Sequence, residues 1–322
     1  MLFASALIFS SQFLITKQYQ KYKGTALLST VRLTLWAHFS VAIMFIIKSW
    51  ISKGTLKIDF TWFTFAVTFG MALVAFICTY MGIKVLAIGS MGVYSMFMML
   101  GSLILPTFIG LLYGEPICDR KIIGIILMFV ALLLSLESIE KSKLSLKAVL
   151  YYVGSFLCNG MVGVFLTLHQ KNPAWTAGVE LQNNQYVIDS DMYMIWYGLS
   201  AVMLCVAILF IIKVSSNDDK DNKKVDSAKT LLKTDTALLN IFVISISVLY
   251  GIGSGLGDYF IALATVPGAL GSSVTFPIIN GGTIIFSNII GLICLKEKIN
   301  FKTILSIIVV VCATVLFMFA TM

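Results

Sequence analysis

AIGSMGVYSMFMMLGSLILPTFIGLLYGEPICDRKIIG, residues 87–124, aligns with ALGSSVTFPIINGGTIIFSNIIGLICLKEKINFKTILS, residues 269–306, when the chain is slid along itself by 182 residues. Ala87, Gly89 and Ser90 fall on Ala269, Gly271 and Ser272. Glu115 falls on Glu297, Ile117 on Ile299, and basic Arg120 on basic Lys302. A weaker echo sets QFLITKQ (12–18) against VFLTLHQ (164–170). The chain therefore reads as two copies of one unit, residues 1–145 and 146–322.

Composition says what kind of unit this is. Of 322 residues, 59% are apolar and 12% charged, and the mean hydropathy is +0.96. Soluble domains carry about 25% charged residues, so the chain reads as an all-α, polytopic integral membrane protein, with a bacterial plasma membrane as its expected location. Crossing the hydrocarbon core takes about 20 apolar residues. Ten segments qualify as candidate spans: 1–16, 26–47, 60–82, 86–113, 122–137, 147–168, 191–212, 237–265, 269–295 and 303–321. Each half holds five. An odd number sets the two copies in opposite orientations, and such inverted repeats characterise secondary transporters, with a site near the midplane. The polar stretch 213–235 reads as a flexible linker.

The net charge of +8 comes from lysines in short loops, which points to lipid headgroups and topology and away from nucleic acid. Loops after odd-numbered spans hold 16 Lys and Arg, and those after even-numbered spans hold six. That asymmetry would place both termini outside the cytoplasm. The amino terminus is apolar before it is basic, the reverse of a cleavable signal, so residues 1–16 read as a retained span. Six scattered cysteines without CxxC spacing read as packing residues, not a metal site. No GxxxxGK[ST] box is present, and no cofactor is expected.

Five spans twice over, with Gly114-Glu115 ending the fourth span and Lys296-Glu297 as its mate, resemble the drug/metabolite transporter superfamily, EamA type. Arg32 early in the second span, DYFIALATVPGAL (258–270) and Pro277 in SSVTFP add to the resemblance. It covers nearly the whole chain through loose motifs. What it implies is a carrier of small metabolites, a cavity between the halves, no obligatory cofactor, and both termini in the cytoplasm. Lys296 departs from the glycine that usually precedes this glutamate.

GIGSGLGDYF (251–260) carries the sharpest chemistry. Asp258 is the only aspartate within an apolar run, the other nine reading as loop residues. Counting back from Pro267 at about 1.5 Å per residue puts it roughly 14 Å from the following turn. Intramembrane carboxylates are functional candidates, here for substrate binding or proton exchange, with helix tethering as the bland alternative. Gly251, Gly255 and Asp258 share a face, and Gly253 and Gly257 are also four apart, a spacing for close helix packing or for a broken helix.

In the ninth span Ser273, Pro277, Asn280, Thr283 and Ser287 form a polar stripe, of which Asn280 and Ser273 are site candidates. Tyr94, Asn159, Gln12 and Tyr259 complete the candidate set. Glu115 with Arg120, and Glu297 with Lys302, read as ion pairs across their turns. Arg32 reads as snorkelling to headgroups, and His38 as satisfying a backbone group.

The expected function is secondary active transport of a small organic metabolite by alternating access, with membrane lipid as the other partner. A lipid or lipid-linked-sugar flippase is the alternative on the same fold. Gly255-Leu256-Gly257-Asp258 also spells the GxGD box of intramembrane aspartyl proteases. That chemistry needs two carboxylates sharing a proton, no other span holds a second aspartate, and no enzyme is expected.

Overall fold

The computed structural model describes residues 1–54, 58, 60–112, 114, 118–137, 145–171, 190–218, 240–265, 272–297 and 300–319. Among these are ten helices: α1 (Leu2–Lys23), α2 (Leu27–Lys53), α3 (Trp62–Ile88), α4 (Met91–Leu112), α5 (Asp119–Glu137), α6 (Leu146–Lys171), α7 (Ser190–Asp218), α8 (Ile241–Thr265), α9 (Ser272–Leu295) and α10 (Phe301–Phe319). In hydrocarbon every backbone N–H and C=O needs an internal partner, which continuous helices supply. Eight are long and apolar enough to span; α1 and α5 fall short of that composition. α5 opens on Asp119-Arg120-Lys121, and α1 carries a basic end that continues as helix to Lys23 instead of stopping near residue 16.

Local signals set several ends. Thr61 caps α3 by accepting from the Thr64 amide at 3.1 Å, and Asn300 caps α10 by accepting from the Thr303 amide at 2.8 Å. Gly54 ends α2 in the left-handed conformation, its N–H returning to the Trp50 carbonyl at 2.9 Å.

Helix neighbours close a ring. α1 packs on α8, α8 on α2, α2 on α7, α7 on α3, α3 on α6, α6 on α4, α4 on α9, and α9 returns to α1. α5 and α10 pair with each other outside it, α5 touching α4 and α10 touching α9. The residue pattern is inverted relative to a water-soluble bundle. On α10, Phe301, Ile304 and Ile308 face outward while Thr303 and Ser306 are buried. Ser306 and Ser135 of α5 share a hydrogen bond of 2.9 Å. Apolar outside with small polar groups inside is the arrangement a bilayer selects, where interhelical hydrogen bonds and small residues hold helices together.

The glycine-rich stretch is an unbroken part of α8, so its glycines do not open the backbone. A Cβ on Gly251 would run into the Ala37 carbonyl of α2, and one on Gly255 would press on Val41 at 3.0 Å. Gly257 lies against the Phe9 ring of α1, and Gly253 faces Ile8. One pair of glycines admits α2 and the other admits α1. The helix is wedged between them.

Candidate functional site

Inside the ring is a cavity of about 90 Å³, to which all eight ring helices contribute and α5 and α10 do not. At about 10 to 15 Å³ per water-sized group, it accommodates roughly six to nine of them. Of the sequence candidates, Gln12, Tyr94, Asn159, Asp258 and Asn280 line it. Tyr259 does not; its ring packs on Phe45 and lies 4.7 Å from the Lys48 ammonium. The side chain of Ser273 and the whole of Glu115 lie outside the described residues. Of the stripe on α9, Asn280 alone reaches the cavity. Thr283 and Ser287 each donate to a carbonyl of their own helix, and they meet α1 and α4.

Asp258 is 8% exposed, seven residues before the end of α8, hence roughly 10 Å along the axis from that end. The glycine contacts on either side orient it. With α2 and α1 flush against the helix, the carboxyl projects between them into the cavity. Ser254, one turn earlier, is the hydroxyl that addresses it, and Tyr197 and Tyr250 line the same cavity. Tyr250 in turn neighbours Thr79 and Gln12.

His38 and Tyr197 are lining residues that pattern reading passed over as site members. His38 Nδ1 lies 2.9 Å from the Thr34 carbonyl, so it carries the hydrogen. In the neutral ring Nε2 then accepts from the Tyr197 hydroxyl at 3.0 Å. The expected backbone bond of His38 is present, and the tyrosine is the addition. Asn159 donates to the Met98 carbonyl at 2.7 Å and so ties α6 to α4. Asn280 differs: it is 3% exposed and its Nδ2 has no partner. A buried, unpaired amide N–H costs about 1–3 kcal/mol, which is the mark of a group waiting for a ligand.

Charged groups close the bundle at two places. Glu297 does not pair across its own turn with Lys302. It takes Lys17 at 3.0 Å and both carboxylate oxygens accept the Met91 amide, at 2.9 and 3.0 Å. It thereby caps the start of α4 across 206 residues, where the helix dipole favours an anion. Lys17 also donates to the Gly89 carbonyl at 2.9 Å. Arg120, expected to pair in the same way, donates to the Phe319 carbonyl at the end of α10. The second pair is Lys48 with Asp191, at 2.6 and 2.7 Å. Asp191 is thus a buried first-turn residue of α7 rather than a loop aspartate. Tyr19 bonds Ser29 at the start of α2, which places Lys17 beside that end. Lys48 lies nineteen residues further along α2, roughly 28 Å away. The two pairs therefore sit at opposite ends. Arg32, expected at the headgroups, is instead buried, near Tyr19.

Among the described residues no three His, Cys, Asp or Glu side chains gather as a metal site. No family model matches the chain, and no curated protein matches it. Twenty-seven chains of solved structures do match. One, described only as the crystal structure of a protein, superposes over 98% of this chain and 97% of its own, with a TM-score of 0.58 and 11% identity. At that identity the likeness is one of fold. The chain is a polytopic membrane protein.

Proposed function

We propose that this protein is a secondary transporter that carries a small organic metabolite by alternating access, on an EamA-like pair of inverted repeats. The observation that carries the reading is the central cavity with a buried carboxylate and an unpartnered amide, reached by all eight ring helices. The ring order supports the repeat. Moving every helix five places on (α1 to α6, α2 to α7, and so forth) reproduces the same set of neighbours but reverses their order around the ring. A two-fold axis lying in the membrane plane does this, passing between α2 and α7 on one side and α4 and α9 on the other. An axis along the membrane normal would keep the order.

Alternating access then consists of one half rocking on the other around the cavity, with the Lys17–Glu297 and Lys48–Asp191 pairs releasing at opposite ends in turn. A carboxylate that exchanges a proton for substrate would couple the cycle to a proton gradient. Closure of the ring on all sides favours a small soluble molecule over a lipid headgroup with its tails outside. Aspartyl proteolysis is disfavoured because Asp258 is the one carboxylate among the described lining residues.

The test is uptake into proteoliposomes with an imposed pH gradient, screening labelled metabolites. Wild-type protein accumulates its substrate, and Asp258→Asn folds but loses gradient-driven accumulation. Normal gradient-driven uptake by that variant would remove Asp258 from the coupling step.

A further inference from the structure

Resting on the transporter reading of this cavity, we propose that its ligand is a small organic ammonium compound bearing a neutral hydrogen-bond acceptor, with the ammonium on Asp258 and the acceptor on Asn280.

The cavity has a fixed sign. Its lining holds one carboxylate and neither lysine nor arginine among the described residues. The one lining histidine, His38, has both ring nitrogens engaged, by Thr34 and Tyr197. A carboxylate enclosed in protein is tolerated when it is paired or protonated; among the described residues Asp258 has no cationic partner, and the neutral Ser254 hydroxyl of its own helix addresses it. When Asp258 is ionised, the counter-charge is therefore left for the ligand to supply. An anionic or zwitterionic ligand would bring a second negative group into a chamber with no cation to receive it.

The walls agree with this sign. Tyr197 and Tyr250 line the same cavity as Asp258, and Phe9 and Phe276 are further lining rings. Aromatic faces attract an ammonium through their quadrupole, most strongly where water is excluded. The thioether of Met98 adds a polarizable surface that adapts to an apolar stem. Elsewhere in the lining, the Asn280 Nδ2–H group is buried and unpartnered, and it is a donor. It asks for an ether, hydroxyl, carbonyl or amide oxygen. Room for roughly six to nine water-sized groups limits the ligand to a compact amine of that size.

Purified protein titrated with benzylamine, benzyl alcohol, benzoate and 4-hydroxybenzylamine, by calorimetry and thermal shift, tests the assignment. Benzylamine is expected to bind about tenfold or more tightly than benzyl alcohol, because its bond to Asp258 is charge-assisted. Benzoate is expected not to bind, and the added hydroxyl to tighten amine binding about threefold or more. Asp258→Asn erases the preference for amine while keeping the weak binding of the alcohol, which reports a folded cavity. Asp258→Glu retains the preference, and Asn280→Ala removes only the gain from the added hydroxyl. The assignment is overturned if the alcohol or benzoate binds as tightly as the amine, if the amine preference survives in Asp258→Asn, or if no compound in the set binds. Labelled amine in proteoliposomes separates the two ideas. Binding without uptake upholds the site and refutes the transporter, whereas uptake of benzoate without amine binding does the reverse.

Discussion

Replacing Gly251 by alanine adds one methyl group at the tightest approach of α8 to α2. That methyl carbon would stand 2.6 Å from the Ala37 carbonyl carbon and closer still to its oxygen. Carbon pairs settle at about 3.5–4.0 Å, so the two helices must part by roughly 1 Å. The obstacle is backbone, which no rotamer change can relieve. Gly253→Ala, half a turn away on the same helix, is the natural reference. There the new carbon meets Ile8 at 3.6 Å, an ordinary contact. Both substitutions bring the same backbone benefit, about 1 kcal/mol for alanine over glycine in a helix. Their difference isolates the packing penalty, which overpacking of close-fitted interiors puts at about 1–3 kcal/mol. Unfolding of the purified variants by SDS titration in mixed micelles measures it. Gly253→Ala should equal or exceed the wild type, and Gly251→Ala should fall below Gly253→Ala by that margin. Equal midpoints would refute the close approach of α8 to α2, and with it the account of how Asp258 is aimed.

Three further outcomes are expected. Glu297→Gln should lower stability by about 1–2 kcal/mol, since it removes the anion shared by Lys17 and the Met91 amide. In a double-mutant cycle it should couple with Lys17→Met by about 1 kcal/mol, and a coupling found with Lys302→Met instead would restore the turn pairing. Lys48→Met leaves the buried Asp191 without its ammonium. Because the lysine is 40% exposed, the expected loss is about 1–2 kcal/mol, less than for a fully buried pair, and thermal melts of detergent-solubilised protein give the number. Tyr197→Phe takes the hydrogen bond from His38 Nε2 and should cost about 1 kcal/mol. An unchanged ¹⁵N signature of the His38 ring in that variant would show that the bond is not formed.

The helices were legible because hydrocarbon demands long apolar runs: each expected segment falls mainly on a helix, and eight of the ten helices have the length and composition of a span. Their ends were less so. The basic tail of α1 reads as a loop by composition, yet it continues as helix and delivers Lys17 to Glu297, 280 residues away. No local pattern announces a partner at that distance, so the recurrence of Glu115 and Glu297 near Arg120 and Lys302 was read as pairing across the turn. Asp258 stood out because a charge in an apolar run is conspicuous. Tyr197, Tyr250 and His38 did not, since α2, α7 and α8 are apolar around most of their circumference and sequence does not reveal which face turns inward. Arg32 was misjudged for a related reason. Depth from a helix end says how far a side chain must reach for water, but not which neighbours cover it.

The closed ring also bears on how the protein is made. The main neighbours of α1 are α8 and α9, whose first residues lie more than two hundred positions downstream. At about 5–20 residues per second, α1 waits roughly ten to forty seconds before α8 is even synthesised. Over that interval its serines and threonine face lipid or the insertion machinery with no tertiary partner. Ser10 and Thr16 already donate to the carbonyls of Ala6 and Gln12, one turn back at 2.7 and 2.8 Å. Such bonds need nothing but the helix itself. Ser10 gives the Thr283 carbonyl its second contact, at 3.1 Å, only when α9 arrives. Ser10 and Thr16 are thus kept satisfied locally through the delay, and α1 is held ready for α8 and α9 to close against it.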